Sequence, residues 1–246
     1  MGTCLAELYQ WFTTPLGERL LQSEVQLMQQ ILPNLFGYHL LQIGNIGHGQ
    51  LLESSRINHR CISCLGSPQH SALDYSTVHA SSDDLPFAHD SVDVVVLPHV
   101  LEFEPNPHQI LREVERILIA EGHVVIIGFN PVSLWGLWHR FLSHRKQAPW
   151  CSQFLPVLRV KDWLTLLEFE KLQQHTLFFA PPVNSHWAAM KRVDKFGQRW
   201  GKDFGAVYVL VAKKRVSTLT PIKPKWTAEP VMVSTPIGSR LEKHHE

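Results

Sequence analysis

Three closely spaced glycines carry the clearest chemical signal in this chain. Tyr38-His39-Leu40-Leu41-Gln42-Ile43 reads as a short strand, and Gly44, Gly47 and Gly49 follow it directly. A glycine turn between a strand and a helix suits nucleotide-like ligands, because small residues let backbone approach the ligand and a helix N-terminus offers free N–H donors. The spacing here is G-x-x-G-x-G, which is neither the G-x-G-x-x-G of dinucleotide sites nor the G-x-x-x-x-G-K-[ST] of phosphate loops. Dinucleotide binding also expects an acid about 20 residues further on, at the end of the second strand. Leu65 and Gly66 occupy that neighbourhood. Spacing alone therefore leaves simple turn glycines as the competing reading.

Other residues invite weaker readings. His99 follows the apolar run Val92 to Leu97; its imidazole either takes a proton from a hydroxyl acceptor or serves structurally, capping the strand or packing on Phe103. Asn130 either orients a substrate or makes an Asn-Pro stop. Trp11, Trp135 and Trp138 either wall an apolar pocket or belong to the core. Cys61-x-x-Cys64 lies in a strand, where side chains three apart point to opposite faces, and no second pair stands at zinc spacing, so no metal is expected. The cations between Lys191 and Lys202 read as a solvated helix face or as a contact for phosphate-bearing partners.

The elements that position these residues follow from periodicity. Thr13-Thr14-Pro15 combines a capping hydroxyl with a first-turn proline, and Leu20, Leu21, Val25, Met28, Ile31 and Leu32 then repeat at helical spacing. Short strands are predicted at residues 60–65, near 75–80, at 92–97, at 124–127, at 169–179 and at 206–212. Helices are predicted after Asn106-Pro107, within 132–150, at 160–167 and at 187–200. Short apolar strands alternating with amphipathic helices imply an α/β fold with a mostly parallel sheet and helices on both faces.

The 246 residues, 44% hydrophobic and 18% charged, are enough for a large core and exclude disordered or coiled-coil classes. Lys and Arg total 23 against 22 Asp and Glu, so there is no global attraction toward nucleic acid or an anionic membrane. No run approaches the ~18 apolar residues of a membrane span, and no cationic leader precedes an apolar stretch. Four cysteines are too few for a disulfide framework and agree with a reducing compartment. The expectation is a cytoplasmic protein with a domain over residues 1–215 and a flexible, proline-containing tail over 216–246.

The stretch from Asp83 through Leu85-Pro86-Phe87 to Ser91-Val92-Asp93-Val94-Val95 resembles the LPF-x-x-x-S-[FV]-D-V-V run of class I S-adenosylmethionine-dependent methyltransferases, in the methyltransferase type 11 group. The likeness continues through His99-Val100-Leu101-Glu102 and the Leu111-Arg112-Glu113 to Leu118 helix. Gly128-Phe129-Asn130-Pro131-Val132-Ser133-Leu134-Trp135-Gly136-Leu137 is similar to a segment of an uncharacterised bacterial branch. In all it covers residues 10–215.

The resemblance implies a Rossmann-like seven-stranded methyltransferase sheet whose last strand is antiparallel, with S-adenosylmethionine across the carboxyl ends of the first strands. Carried over residue by residue, the cofactor set is Gln42, Gly44, Asn45, Ile46, Gly47 and Gly49, then Leu65 and Gly66, then Ser82, Asp83, Asp84 and Leu85, with Leu97 at the end of the fourth strand. His99 takes the catalytic position, and Trp11, Asn130 and Trp135 the substrate side. Gln42 and Leu65 stand where the family usually has carboxylates. The implied activity is methyl transfer to a small or medium-sized acceptor. A non-catalytic binding or regulatory protein of the same fold is the alternative, and RNA methylation has only the cationic helix and tail behind it.

Overall fold

The computed structural model describes residues 2–64, 75–142, 149–179 and 204–215, within a compact unit spanning Met1–Val216. The tail, Leu65, Gly66, the helix expected at 187–200 and the cation cluster lie outside the described residues.

Helix α1 (Gly2–Phe12) precedes the first helix expected from the sequence. It stops at Thr13-Thr14 because Pro15 disfavours helical backbone in the residue before it. Thr14 then takes extended dihedrals and accepts from the Gly17 N–H at 3.2 Å, opening α2 (Pro15–Ile31). Seven strands follow: β1 (His39–Ile43), β2 (His59–Cys64), β3 (Ser76–His79), β4 (Val92–Pro98), β5 (Leu118–Phe129), β6 (Phe169–Leu177) and β7 (Val207–Lys214). Three further helices are α3 (Pro107–Ile117), α4 (Leu134–Leu142) and α5 (Val157–Leu166).

The strands form one sheet in the order β3-β2-β1-β4-β5-β7-β6. β1 to β5 pair in parallel, and β7 runs antiparallel to both β5 and β6. The sheet is thus mostly parallel with an antiparallel β7. Its order reverses between β1 and β4, the switch point at which open α/β sheets leave a crevice at their carboxyl ends.

Strand alternation divides the core in two. Leu40, Val94, Val96, Val125 and Ile127 pack under Leu8, Phe12, Leu20, Leu27 and Met28 of α1 and α2. Leu41, Ile43, Val95, Leu97, Val124 and Ile126 pack on the opposite face under Ile110, Leu111 and Val114 of α3 and Val160 and Leu164 of α5. Each such buried side chain contributes about 1.5–3 kcal/mol relative to exposure. The Asp93 carboxylate accepts from the Tyr38 and His39 N–H groups at 3.0 and 2.8 Å, holding the start of β1 against β4. Among the described residues, no helix is long and apolar enough to cross a membrane.

Candidate functional site

At the carboxyl end of β1 the side chain of Gln42 points to the same face as Leu40, beneath α1 and α2, and is fully buried. Its Nε2 donates to the carbonyls of Gly44 and Ile46 at 2.8 and 3.1 Å, curling the turn back over the strand end. Gln42 Oε1 has no hydrogen-bond partner. Such an orphan acceptor is costly unless something else satisfies it.

The turn itself departs from a helix. Gly44, Gly47, His48 and Gly49 have φ values of 89°, 71°, 47° and 91°, so residues 46–52 form an irregular 3₁₀ segment. A Cβ on Gly49 would overlap the ring of Tyr75, and one on Gly47 would lie 2.9 Å from Leu21 Cδ1. The Tyr9 hydroxyl of α1 accepts from the Asn45 N–H at 3.3 Å, and Asn45 Oδ1 is a second buried acceptor without a partner. Burial raises the Tyr9 phenol above its ordinary range. Helix α1 therefore lies across the glycine turn.

Beyond β4, His99 adopts φ 51°, uncommon for a non-glycine residue, while its N–H bonds to the Ile127 carbonyl at 2.9 Å. Its ring is fully buried, with Nε2 2.9 Å from Glu24 Oε1 and Nδ1 3.1 Å from Glu102 Oε2. Phe129 stacks on it with ring centroids 4.2 Å apart. Burial alone would depress this imidazole, but the charges of Glu24 and Glu102 and their hydrogen bonds outweigh it and raise its pKa to about 9. At neutral pH it is an imidazolium that donates from both nitrogens. Glu102 Oε1 in turn accepts from the Phe129 N–H. Only Glu24 Oε2 in this cluster is left unpartnered.

The loop after β3 is fixed from α3. Glu113 Oε1 accepts from the Leu85 N–H at 3.1 Å, and Arg116 donates to the Leu85 and Phe87 carbonyls. That anchor buries Ser82 and Leu85 while Asp83 and Asp84 stay exposed. Ser81 donates to the Asp83 carboxylate.

Residues 56–126 match the methyltransferase domain family. An uncharacterised Escherichia coli K12 protein, YafS, is 33% identical over 216 residues, 87% of this chain and 84% of that one. The chain belongs to the class I methyltransferases. An S-adenosylmethionine-dependent methyltransferase from Thermotoga maritima shares the fold, with a TM-score of 0.62 and 17% identity, covering 84% of this chain and 93% of that one. So does the geranyl diphosphate C-methyltransferase of Streptomyces coelicolor, solved with Mg²⁺, geranyl diphosphate and S-adenosyl-L-homocysteine. Its TM-score is 0.55 at 15% identity, covering 78% and 77% of the two chains.

Within this methyltransferase fold, several expected site residues are placed as structure instead. Trp135 is fully buried between Phe129, Trp11, Trp150 and Phe178, so it is core and not the wall of a substrate pocket. Trp11 joins the same aromatic cluster, edge-on to Phe12, Phe129 and Trp135. The buried Asn130 amide donates to the Gly205 carbonyl and accepts from the Val132 N–H, each at 3.0 Å, so its groups hold a turn. Leu97 faces the α3 side of the sheet, and Ile46 turns into the core beneath α2. His99 is no free base, because both nitrogens are engaged and the ring is sealed. The cysteine expectation also changes: Cys4 of α1 and Cys151 form a disulfide across 147 positions, with Cα atoms 6.4 Å apart. Cys61 and Cys64 remain free thiols.

Glu24, Glu102 and Tyr9 were not singled out from sequence. Glu24 did leave a signal. It sits on the apolar stripe Leu20, Leu27, Met28 and Ile31 of α2, where an ionisable residue needs a partner.

The group that class I methyltransferases use is S-adenosylmethionine, whose amino-acid end carries an ammonium. Gln42 Oε1 and Asn45 Oδ1, buried acceptors without donors at the glycine turn, fit the donors of that ammonium.

Proposed function

We propose that this protein is an S-adenosylmethionine-dependent methyltransferase acting on a small or medium-sized acceptor. The observation that carries the reading is the glycine turn at the switch point, whose left-handed backbone and orphan acceptors Gln42 Oε1 and Asn45 Oδ1 offer a cofactor-sized cation hydrogen bonds that the chain leaves unmade. Gly44, Asn45, Gly47 and Gly49 would hold the amino-acid end, and Ser82, Asp83, Asp84 and Leu85 the adenine end. Leu65 and Gly66 would flank the ribose. When bound, S-adenosylmethionine supplies a sulfonium-activated methyl group. The chain's own part is to orient the acceptor, exclude water and hold the turn rigid, which is where much of the rate of a simple displacement arises. His99 acts as a fixed cation that positions Glu24 and Glu102, so acceptor groups that are nucleophilic without deprotonation suit this site.

A second reading, a non-catalytic binding protein of the same fold, draws support from Tyr9 and Gln42. The Tyr9 hydroxyl occupies the Asn45 N–H, and the Gln42 amide satisfies the turn carbonyls from within. Calorimetric titration with S-adenosylmethionine and S-adenosylhomocysteine separates the two. Micromolar binding supports the enzyme, and no binding at millimolar cofactor overturns it.

A further inference from the structure

We infer that Glu24, carried by α2 and outside every methyltransferase motif, supplies the carboxylate that Gln42 lacks and binds the ammonium of the cofactor's amino-acid end. The inference rests on the cofactor reading above and assigns one of its contacts.

Three observations converge on Glu24. First, the buried acceptors left without partners among the described residues are Glu24 Oε2, Gln42 Oε1 and Asn45 Oδ1, all oxygens. An ammonium has three N–H donors and no acceptor, so its hydrogen-bonding needs mirror this set. Second, the topology brings the elements that carry them to one end of the sheet. Gln42 pairs with Val96 of β4, and Gly44, two residues on, packs against Val100, so the end of β1 lies beside the His99 turn. Gln42 faces the α1 and α2 side, and Glu24 reaches the same end of the sheet from α2, where it bonds His99. Leu21, one turn earlier on α2, already touches Gly47 of the glycine turn. Third, donors and acceptors in the relay do not balance. Glu24 and Glu102 share a single imidazole with two ring nitrogens, which leaves Glu24 Oε2 without a donor. A buried acceptor without a donor is disfavoured, and a ligand ammonium that donates to it removes that penalty on binding.

The division of labour follows. Glu24 Oε1 is held by His99, whose other nitrogen is fixed by Glu102, so Oε2 is aimed and costs little to order. Gln42 gives the turn its shape and adds a neutral acceptor. The family's carboxylate has in effect moved from the strand to the helix that covers it.

The test compares S-adenosylhomocysteine with its deamino analogue, which keeps the adenosine, thioether and carboxylate and lacks only the ammonium. Isothermal calorimetry on the full chain is expected to show the wild type binding S-adenosylhomocysteine about ten- to a hundred-fold more tightly than the analogue, the range for a charged hydrogen bond. Glu24→Gln should bring that ratio close to one while leaving affinity for the analogue unchanged, which also certifies that the variant is folded. A wild-type ratio near one overturns the inference, even if Glu24→Gln fails to fold. A wild-type ratio that persists in Glu24→Gln overturns it as well, with the cofactor reading intact. Failure of the wild type to bind either ligand removes the cofactor reading and the inference together.

Discussion

His99 donates from Nε2 to Oε1 of Glu24 at 2.9 Å, across 75 positions of sequence, and this bond joins the covering helix α2 to the turn that ends β4. It closes a buried Glu24–His99–Glu102 relay at the point where the sheet order reverses. The relay ties the segment above the glycine turn to the strand end beside it, so the shape of the crevice depends on one imidazolium.

Replacing His99 by Gln removes the cation and leaves two buried carboxyl groups facing one another. Breaking a buried ion pair on one side typically costs about 3–5 kcal/mol. Urea denaturation of His99→Gln should show a loss of that size. A loss below about 1 kcal/mol would mean that the imidazole does not hold the two carboxyl groups together.

The same imidazole sets a pH dependence. Its pKa rises from 6.5 to about 9 on folding, so its stabilisation is complete below pH 6.5 and is lost as pH climbs through 9. Across that window wild-type stability should fall by about 3 kcal/mol, the free-energy equivalent of the shift. His99→Gln should lack this component. Thermal or urea unfolding between pH 6 and 10 provides the comparison.

The centre of the sheet was legible in the sequence because β4, β5 and β7 are largely buried and read as nearly continuous apolar runs such as Val92 to Leu97, broken only at Asp93. Thr14 with Pro15, and Pro107 after Asn106, marked the starts of α2 and α3 for equally local reasons. The site was less legible. Helix α1 has neither a proline nor an acidic first turn to announce it. The acceptor role proposed for Glu24 depends on His99, 75 positions away, and no local pattern encodes that pairing. Trp135 and Asn130 belonged to a recognisable segment, yet their spacing could not tell a pocket wall from a core. The Cys4–Cys151 pairing was hidden because a count of four cysteines carries no information on which ends meet.

That disulfide holds α1 to the segment carrying Phe154 and Leu155, and α1 in turn places Tyr9 over the glycine turn. Closing a loop this long restricts the unfolded chain strongly, and removal of such bonds typically costs about 2–5 kcal/mol. Cys4→Ser should therefore lower the melting temperature under oxidising conditions, and a thiol reductant should bring the wild type to the same value. A reductant that leaves wild-type melting unchanged would show that the bond contributes nothing to stability.

Gly49 tests the turn itself. At φ 91° an L-residue is strained, and a Cβ there would overlap the Tyr75 ring. Gly49→Ala should cost more than about 1 kcal/mol and displace Tyr75 from beside β2. A change in Tyr75 fluorescence would be masked by the eight tryptophans, so ring NMR shifts of selectively labelled tyrosine are the better readout. An unshifted Tyr75 signal in a stable variant would contradict the tight approach.

Lys214, far from the crevice, provides the contrast of a buried cation that is fully used. Its ammonium donates to the Glu115 and Leu118 carbonyls at 2.7 and 2.9 Å and to Asp90 Oδ1 at 3.1 Å, which locks the end of β7 to the junction of α3 and β5. Lys214→Met keeps the stem packing and deprives two carbonyls of their donor, at about 1–3 kcal/mol for each group left unsatisfied. Urea unfolding should register that loss while S-adenosylhomocysteine affinity stays at the wild-type value, because no atom of this cluster adjoins the glycine turn. Glu24→Gln, which also breaks the buried contact with His99, should add a loss of S-adenosylhomocysteine affinity to its stability loss, and the pair of variants thus separates a group that only holds the fold from one that also awaits a cation.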